Sequence, residues 1–163
     1  MKNLLFLLLF ISAVACASAQ LKTTPVCNTF VVDILDGKVS DVYPDFSIGR
    51  IKEKLPCFTS TEPEDTSSHC GGGVFYKDRD IIFYTGRDYI EIGEKFKGKL
   101  TIPLLGAGRN SLFKWLGHPK IKDVNWDAFE MAYGTLVLHY HKAGKIYLIQ
   151  FSKKSTETLS LCE

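Results

Sequence analysis

The chain has 163 residues, with 20 Lys and Arg against 18 Asp and Glu, five cysteines and 45% hydrophobic positions. The 144 residues after Ala19 carry 19 basic and 18 acidic side chains, enough for one ordinary domain or two very small ones. These figures exclude a multidomain machine, a coiled coil, a disordered tail and a strongly basic nucleic-acid binder, and they name no function.

Met1-Lys2-Asn3 gives a short, positively charged start, and Leu4 to Val14 is an apolar stretch of 11 residues. Ala17-Ser18-Ala19 then supplies the small-x-small pattern of a signal-peptidase site. Residues 1–19 are therefore expected to be a secretory signal peptide, cleaved before Gln20. That stretch is too short for a bilayer core of about 30 Å, and no later one approaches the length, so no transmembrane segment is expected. The expected location is secreted or periplasmic. The alternative is an outer-membrane lipoprotein, because Ala13-Val14-Ala15-Cys16 resembles a bacterial lipobox whose lipidated Cys16 would be the anchor.

Phe30 to Leu35 is rich in β-branched residues and runs into Asp36-Gly37, a tight-turn dipeptide, after which Val39 to Tyr43 can return as a shorter strand. Pro44-Asp45-Phe46-Ser47 reads as a helix start. Ile48, Ile51 and Leu55 recur at helical spacing, and Pro56 stops the helix. A Ser/Thr/acidic loop and Gly71-Gly72-Gly73 lead into three predicted strands, Val74–Tyr76, Ile81–Tyr84 and Tyr89–Ile92. Leu100 to Leu105 reads as a strand confined to an edge or bulge by Pro103. Gly106 to Asn110 leads into a short helix carrying Leu112, Phe113, Trp115 and Leu116, ended by Gly117 and Pro119. Three further strands follow: Ala128–Tyr133, Leu136–Tyr140 and Ile146–Phe151.

Each half thus reads as strand, helix and three-strand meander. The fold class expected is α+β: an antiparallel sheet with short helices packed on one face, built from two similar β-α-βββ units over residues 20–95 and 96–163. The runner-up is a closed barrel of the lipocalin type.

With Cys16 in the signal, Cys27, Cys57, Cys70 and Cys162 remain, an even number in an exported chain and hence a disulfide signal. Four cysteines permit three pairings. The spacing favours Cys57–Cys70, which would close the polar loop, and Cys27–Cys162, which would tie the ends together. No CxxC spacing points to a metal site.

Ser111-Leu112-Phe113-Lys114-Trp115-Leu116-Gly117-His118-Pro119, then Trp126, the alternating strand Leu136–Tyr140 and the hairpin Gly144-Lys145-Ile146 form the most recognisable phrase. It resembles the helix-plus-meander repeat of the outer-membrane assembly lipoproteins. The tandem order, with cysteines between helix and first strand, is similar to the β-lactamase inhibitory protein family. In the first half the phrase is weaker: Leu55-Pro56 stands where Leu-Gly-x-Pro would be, and there is no Trp. The resemblance implies helices on one face of a curved sheet and an often aromatic opposite face that binds a protein or cell-wall partner.

Three patterns could carry chemistry, and a plainer reading outweighs each. His139 and His141 share a strand face and could hold a metal with His118 or Glu130, but they also suit a solvated face. His69-Cys70 beside three glycines suggests a nucleophile, yet Cys70 is better used in a disulfide. Gly106-Ala107-Gly108 lacks the full phosphate-binding pattern. No catalytic residue, metal site or cofactor is assigned.

Aromatic strand residues are too many for one thin core, and on an exposed sheet face they would form a recognition surface. The expected function is therefore that of an exported, non-catalytic interaction protein of the cell envelope or extracellular space. Its partner would be a protein or envelope component, not nucleic acid, contacted by Tyr84, Trp126, Tyr133, His139 and Tyr140. The alternative is a carrier of a small hydrophobic ligand; a hydrolase ranks third.

Overall fold

A computed structural model describes residues 25–65, 67–68 and 70–162; the expected signal peptide with Cys16, and also His69, lie outside the described residues. Strands β1 (Val31–Asp33) and β2 (Lys38–Val39) are joined through Gly37, whose φ of +61° a side chain would strain. A Cβ on Gly37 would also meet the Tyr133 ring at 2.4 Å, so this turn is packed as well as tight. Helix α1 (Ile48–Lys54) starts where Ser47 accepts a hydrogen bond from the Arg50 N–H at 3.4 Å. Its apolar stripe buries Ile51 completely, a contribution of about 1.5–3 kcal/mol for a side chain of that size.

The chain then forms β3 (Ser60–Glu62), β4 (Gly73–Tyr76), β5 (Ile81–Tyr84) and β6 (Tyr89–Ile92) as successive antiparallel neighbours. The β4–β5 and β5–β6 turns end in Asp80 and Asp88, at φ of +57° and +56°, a left-handed conformation that aspartate tolerates. After β7 (Lys99–Leu100), a 3₁₀ turn (Arg109–Ser111) and helix α2 (Phe113–Leu116), the second run comprises β8 (Ile121–Lys122), β9 (Trp126–Met131), β10 (Gly134–Tyr140) and β11 (Ile146–Ser152).

Two sheets result. β2-β1-β7 is a small one, and β3-β4-β5-β6-β11-β10-β9-β8 an eight-stranded antiparallel one, in which the two meanders meet at β6 and β11. The core lies between the small sheet with α1 and one face of the large sheet. Phe30, Val32, Ile34 and Ile51 meet Val74, Tyr76, Ile90, Leu138 and Phe151 there. This is an α+β architecture dominated by antiparallel strands. β3 and β8 do not pair with each other, so the sheet is open and not a lipocalin-type barrel.

Three features depart from the sequence reading. β3 and β8 form inside segments that read as loops, because edge strands of two or three residues carry too little pattern to be seen. The expected strand Leu100–Leu105 shrinks to β7, since its hydrogen bonds go to β1 in parallel, with Val32 opposite Leu100, and Pro103 falls outside the ladder.

The third is the disulfides. The expected pairs Cys57–Cys70 and Cys27–Cys162 are replaced by Cys27–Cys57 and Cys70–Cys162, with Cα separations of 5.5 and 5.4 Å. The physical reason is the β3–β4 ladder, which sets Thr59 beside Phe75 and Glu62 opposite Gly73 and so carries Cys57 and Cys70 to opposite ends. Cys57 comes to rest beside Cys27, whose Sγ accepts from its backbone N–H at 3.2 Å. In chain-entropy terms, loops of 30 and 92 residues correspond to about 3.5 and about 4.5 kcal/mol.

Candidate functional site on the outer sheet face

Period-2 alternation places one set of side chains of the large sheet in the core and the other on an outer face without a helix across it. The ladder registers align a row across all eight strands of that face. From β3 it begins Ser60, Phe75, Ile82, and from β8 it begins Ile121, Ala128, Val137; Glu91 and Gln150 stand in the middle. Apart from Ser60 at the β3 edge the row is apolar, and Glu91 and Gln150 interrupt it where the meanders join. Leu148, His139 and Trp126 form the adjacent row.

Those polar groups are bonded to one another. The Gln150 amide donates to Glu91 Oε2 at 2.8 Å, which leaves Gln150 Oε1 as an acceptor 2.7 Å from His139 Nε2. With the Gln150 amide oriented this way, His139 Nε2 is the donor that Gln150 Oε1 can accept from. Gln150 is only 3% exposed. Burial raises the Glu91 carboxyl above the usual carboxylate range, and the Gln150 hydrogen bond and the nearby His139 only partly offset this.

The segment after β11 returns across one end of this face. Thr135 Oγ1 donates to the Lys154 carbonyl at 2.8 Å, and Lys120 pairs with Glu157 at 3.2 Å. Arg87 donates to the Leu161 carbonyl at 2.6 Å, and the Cys162 N–H donates to the Tyr89 hydroxyl at 3.2 Å. The Cys70–Cys162 disulfide closes the path. Between this segment and the sheet lies a cavity of about 360 Å³, with Glu91, Gln150 and His139 on its sheet side and Trp126, Val137 and Leu148 beside them. Leu159 and Leu161 form the wall contributed by the C-terminal segment.

Of the residues expected to form a recognition surface, Trp126 and His139 come together at this cavity. Tyr84 shares the outer face but lies at the other meander, stacked on Tyr89 with ring centres 4.6 Å apart; burial pushes its hydroxyl up to about 12. Tyr133 and Tyr140 are corrections. The Tyr133 ring is wedged against Gly37 and Phe151, and Tyr140, 4% exposed, faces the core, where its hydroxyl donates to Asp127 Oδ2 at 2.8 Å. Alternation along β10 decides this: Tyr140 falls in phase with Leu136 and Leu138.

Asp127, itself 3% exposed, also accepts from Arg109 Nε at 2.9 Å and pairs with Arg109 Nη2. The same guanidinium donates to the Asp123 and Val124 carbonyls, so this network ties the 3₁₀ turn to the start of β9. His139 and His141 do share a side, as their spacing predicts, but both rings meet Tyr147, His141 stacked at 4.4 Å and His139 edge-on at 6.3 Å. Among the described residues, no group of three or more His, Cys, Asp or Glu is placed to hold a metal ion.

Sequence reasoning missed Glu91 and Gln150. Each sits mid-strand in an apolar run (YIEI and IYLIQFS), a visible anomaly, but only the β6–β11 register brings them together. No helix among the described residues is long and apolar enough to cross a membrane. In comparison with known proteins, no family model matches the chain, and no curated protein or solved structure matches it either.

Proposed function

We propose that this chain is an exported binding protein that works by recognition and not by chemistry, with the outer face of its large sheet as the contact surface. The observation that carries this reading is the cavity on that face, where Trp126, Val137 and Leu148 stand beside a part-buried polar set. Apolar strand positions on a face without a covering helix are what an interaction surface needs. Two disulfides support an oxidising location, secreted or periplasmic. The antiparallel meeting of the two meanders supports reading 20–95 and 96–163 as related units in the manner of the tandem helix-plus-meander proteins, although the parallel β1–β7 pair departs from a two-fold relation between them.

A second reading, a carrier of a small ligand, is favoured by the cavity volume of about 360 Å³, at the lower end of small-molecule sites. Its polar sheet side argues against a purely hydrocarbon cargo. Leu148→Arg, which places a charge on the outer face, tests both readings against Val31→Arg on the small sheet, where Val31 is 40% exposed. The parent and Val31→Arg are expected to retain one stoichiometric partner from an envelope fraction, or one ligand detected by mass spectrometry, and Leu148→Arg is expected to lose it. Equal retention by both variants rules out the outer face.

A further inference from the structure

Resting on the binding reading above, we infer that the outer-face cavity is a site for a small amphipathic organic cation, with its ammonium group at Glu91 and its apolar body against Val137 and Trp126. The geometry supplies both ends. Glu91, on β6, lines the cavity and receives one hydrogen bond, from the neutral Gln150 amide at 2.8 Å. No Lys or Arg forms an ion pair with it among the described residues: Lys154 is engaged with Asp88, Lys120 with Glu130 and Glu157, and Arg87 with the Leu161 carbonyl and the Ser160 hydroxyl.

A carboxylate withdrawn from water and bonded only to a neutral donor is electrostatically incomplete, and a cation brought to it regains in Coulomb energy what burial cost. Asp127 shows how this chain treats a carboxylate of purely structural use, giving it an arginine and a tyrosine. Both acids line a cavity, but Glu91 has no such partner.

The opposite end is apolar. Val137, two strands away on β10, and Ala128 and Trp126, three strands away on β9, line the same cavity, and Leu159 flanks it from the C-terminal segment. An elongated ligand laid along the row from β6 to β9 thus meets a negative group first and a flat aromatic last. Trp126 also offers a π-face suited to a ring or an alkyl chain. Thr156, at the cavity wall, has a hydroxyl with no hydrogen-bond partner among the described residues, a further polar group at the site. An anionic ligand is disfavoured by Glu91, and an uncharged one leaves Glu91 without a counter-charge.

The test uses 3-phenylpropylammonium, its uncharged analogue 3-phenylpropan-1-ol and the anion 3-phenylpropanoate. Each is titrated into the full mature chain carrying Trp115→Phe, so that Trp126 reports. The ammonium probe is expected to give a saturable change, with the alcohol at least tenfold weaker and the anion silent. Glu91→Gln is expected to weaken the ammonium at least tenfold and leave the alcohol unchanged, which also controls for intact folding. Equal affinities for ammonium and alcohol, or an unchanged ammonium affinity in Glu91→Gln, would overturn the charge assignment while leaving the outer face as a contact surface. A silent Trp126 with all three probes overturns the cation site, and the contact surface is then judged by Leu148→Arg alone.

Discussion

The two faces of the eight-stranded sheet each hold a withdrawn carboxylate, and they treat it in opposite ways. On the core face Asp127 is met by the Arg109 guanidinium and the Tyr140 hydroxyl, and the arginine is in turn spread over backbone carbonyls. On the outer face Glu91 has a single neutral amide, itself tied to His139. Both acids break an apolar strand pattern, so composition alone would class them together. The difference is that the core-face acid is neutralised by an arginine within the fold, whereas the outer-face acid has only a neutral amide and the nearby His139 ring, with no Lys or Arg paired to it among the described residues. Residues of the first kind hold structure; residues of the second kind are where a ligand has something to gain.

That contrast can be broken by mutation. Arg109→Met should have the largest effect, because it leaves Asp127 buried and uncompensated: a loss of about 3–5 kcal/mol in urea unfolding. Tyr140→Phe removes one hydrogen bond to the same carboxylate and should cost about 1.5–3 kcal/mol by the same measurement. A result near zero for either would mean that Asp127 is not held as described.

Glu91→Gln should differ in sign as well as size, stabilising the protein at neutral pH by under about 1 kcal/mol. Burial raises the Glu91 carboxyl in the folded state, so the folded protein holds that proton more tightly than the unfolded chain. The parent therefore loses stability as pH rises through the carboxylate range, and the glutamine variant lacks that loss. The gap between the two should widen from acid to neutral pH in thermal melts at matched ionic strength; a gap that narrows would reverse the assignment of Glu91 as the unneutralised acid.

Much of the element order was legible in the sequence. The strands at 81–84 and 89–92, and the turn at Asp36-Gly37, follow from β-branched and aromatic runs bounded by turn residues. The helix over 48–54 follows from its apolar spacing and from Pro56. Trp126 and His139 were legible as candidates because they are unusual on a strand face, and both reach the cavity. Tyr133 and Tyr140 were not separable from them by residue type. Which face an aromatic occupies depends on phase along the strand and on what packs above it, such as Gly37 under the Tyr133 ring.

What the sequence by itself determined was therefore local: the periodicity that makes strands and helices, the turn chemistry at Gly37, Asp80 and Asp88, and the four cysteines that follow residue 19. Those properties act over a few residues and leave their pattern in the order of the chain. Only the tertiary structure decided what depends on distant pairing. The β6–β11 register brings Glu91 to Gln150, the parallel contact joins β1 to β7, and the β3–β4 ladder separates Cys57 from Cys70 and so redirects both disulfides. Register is a property of two strands meeting, and neither strand encodes it alone.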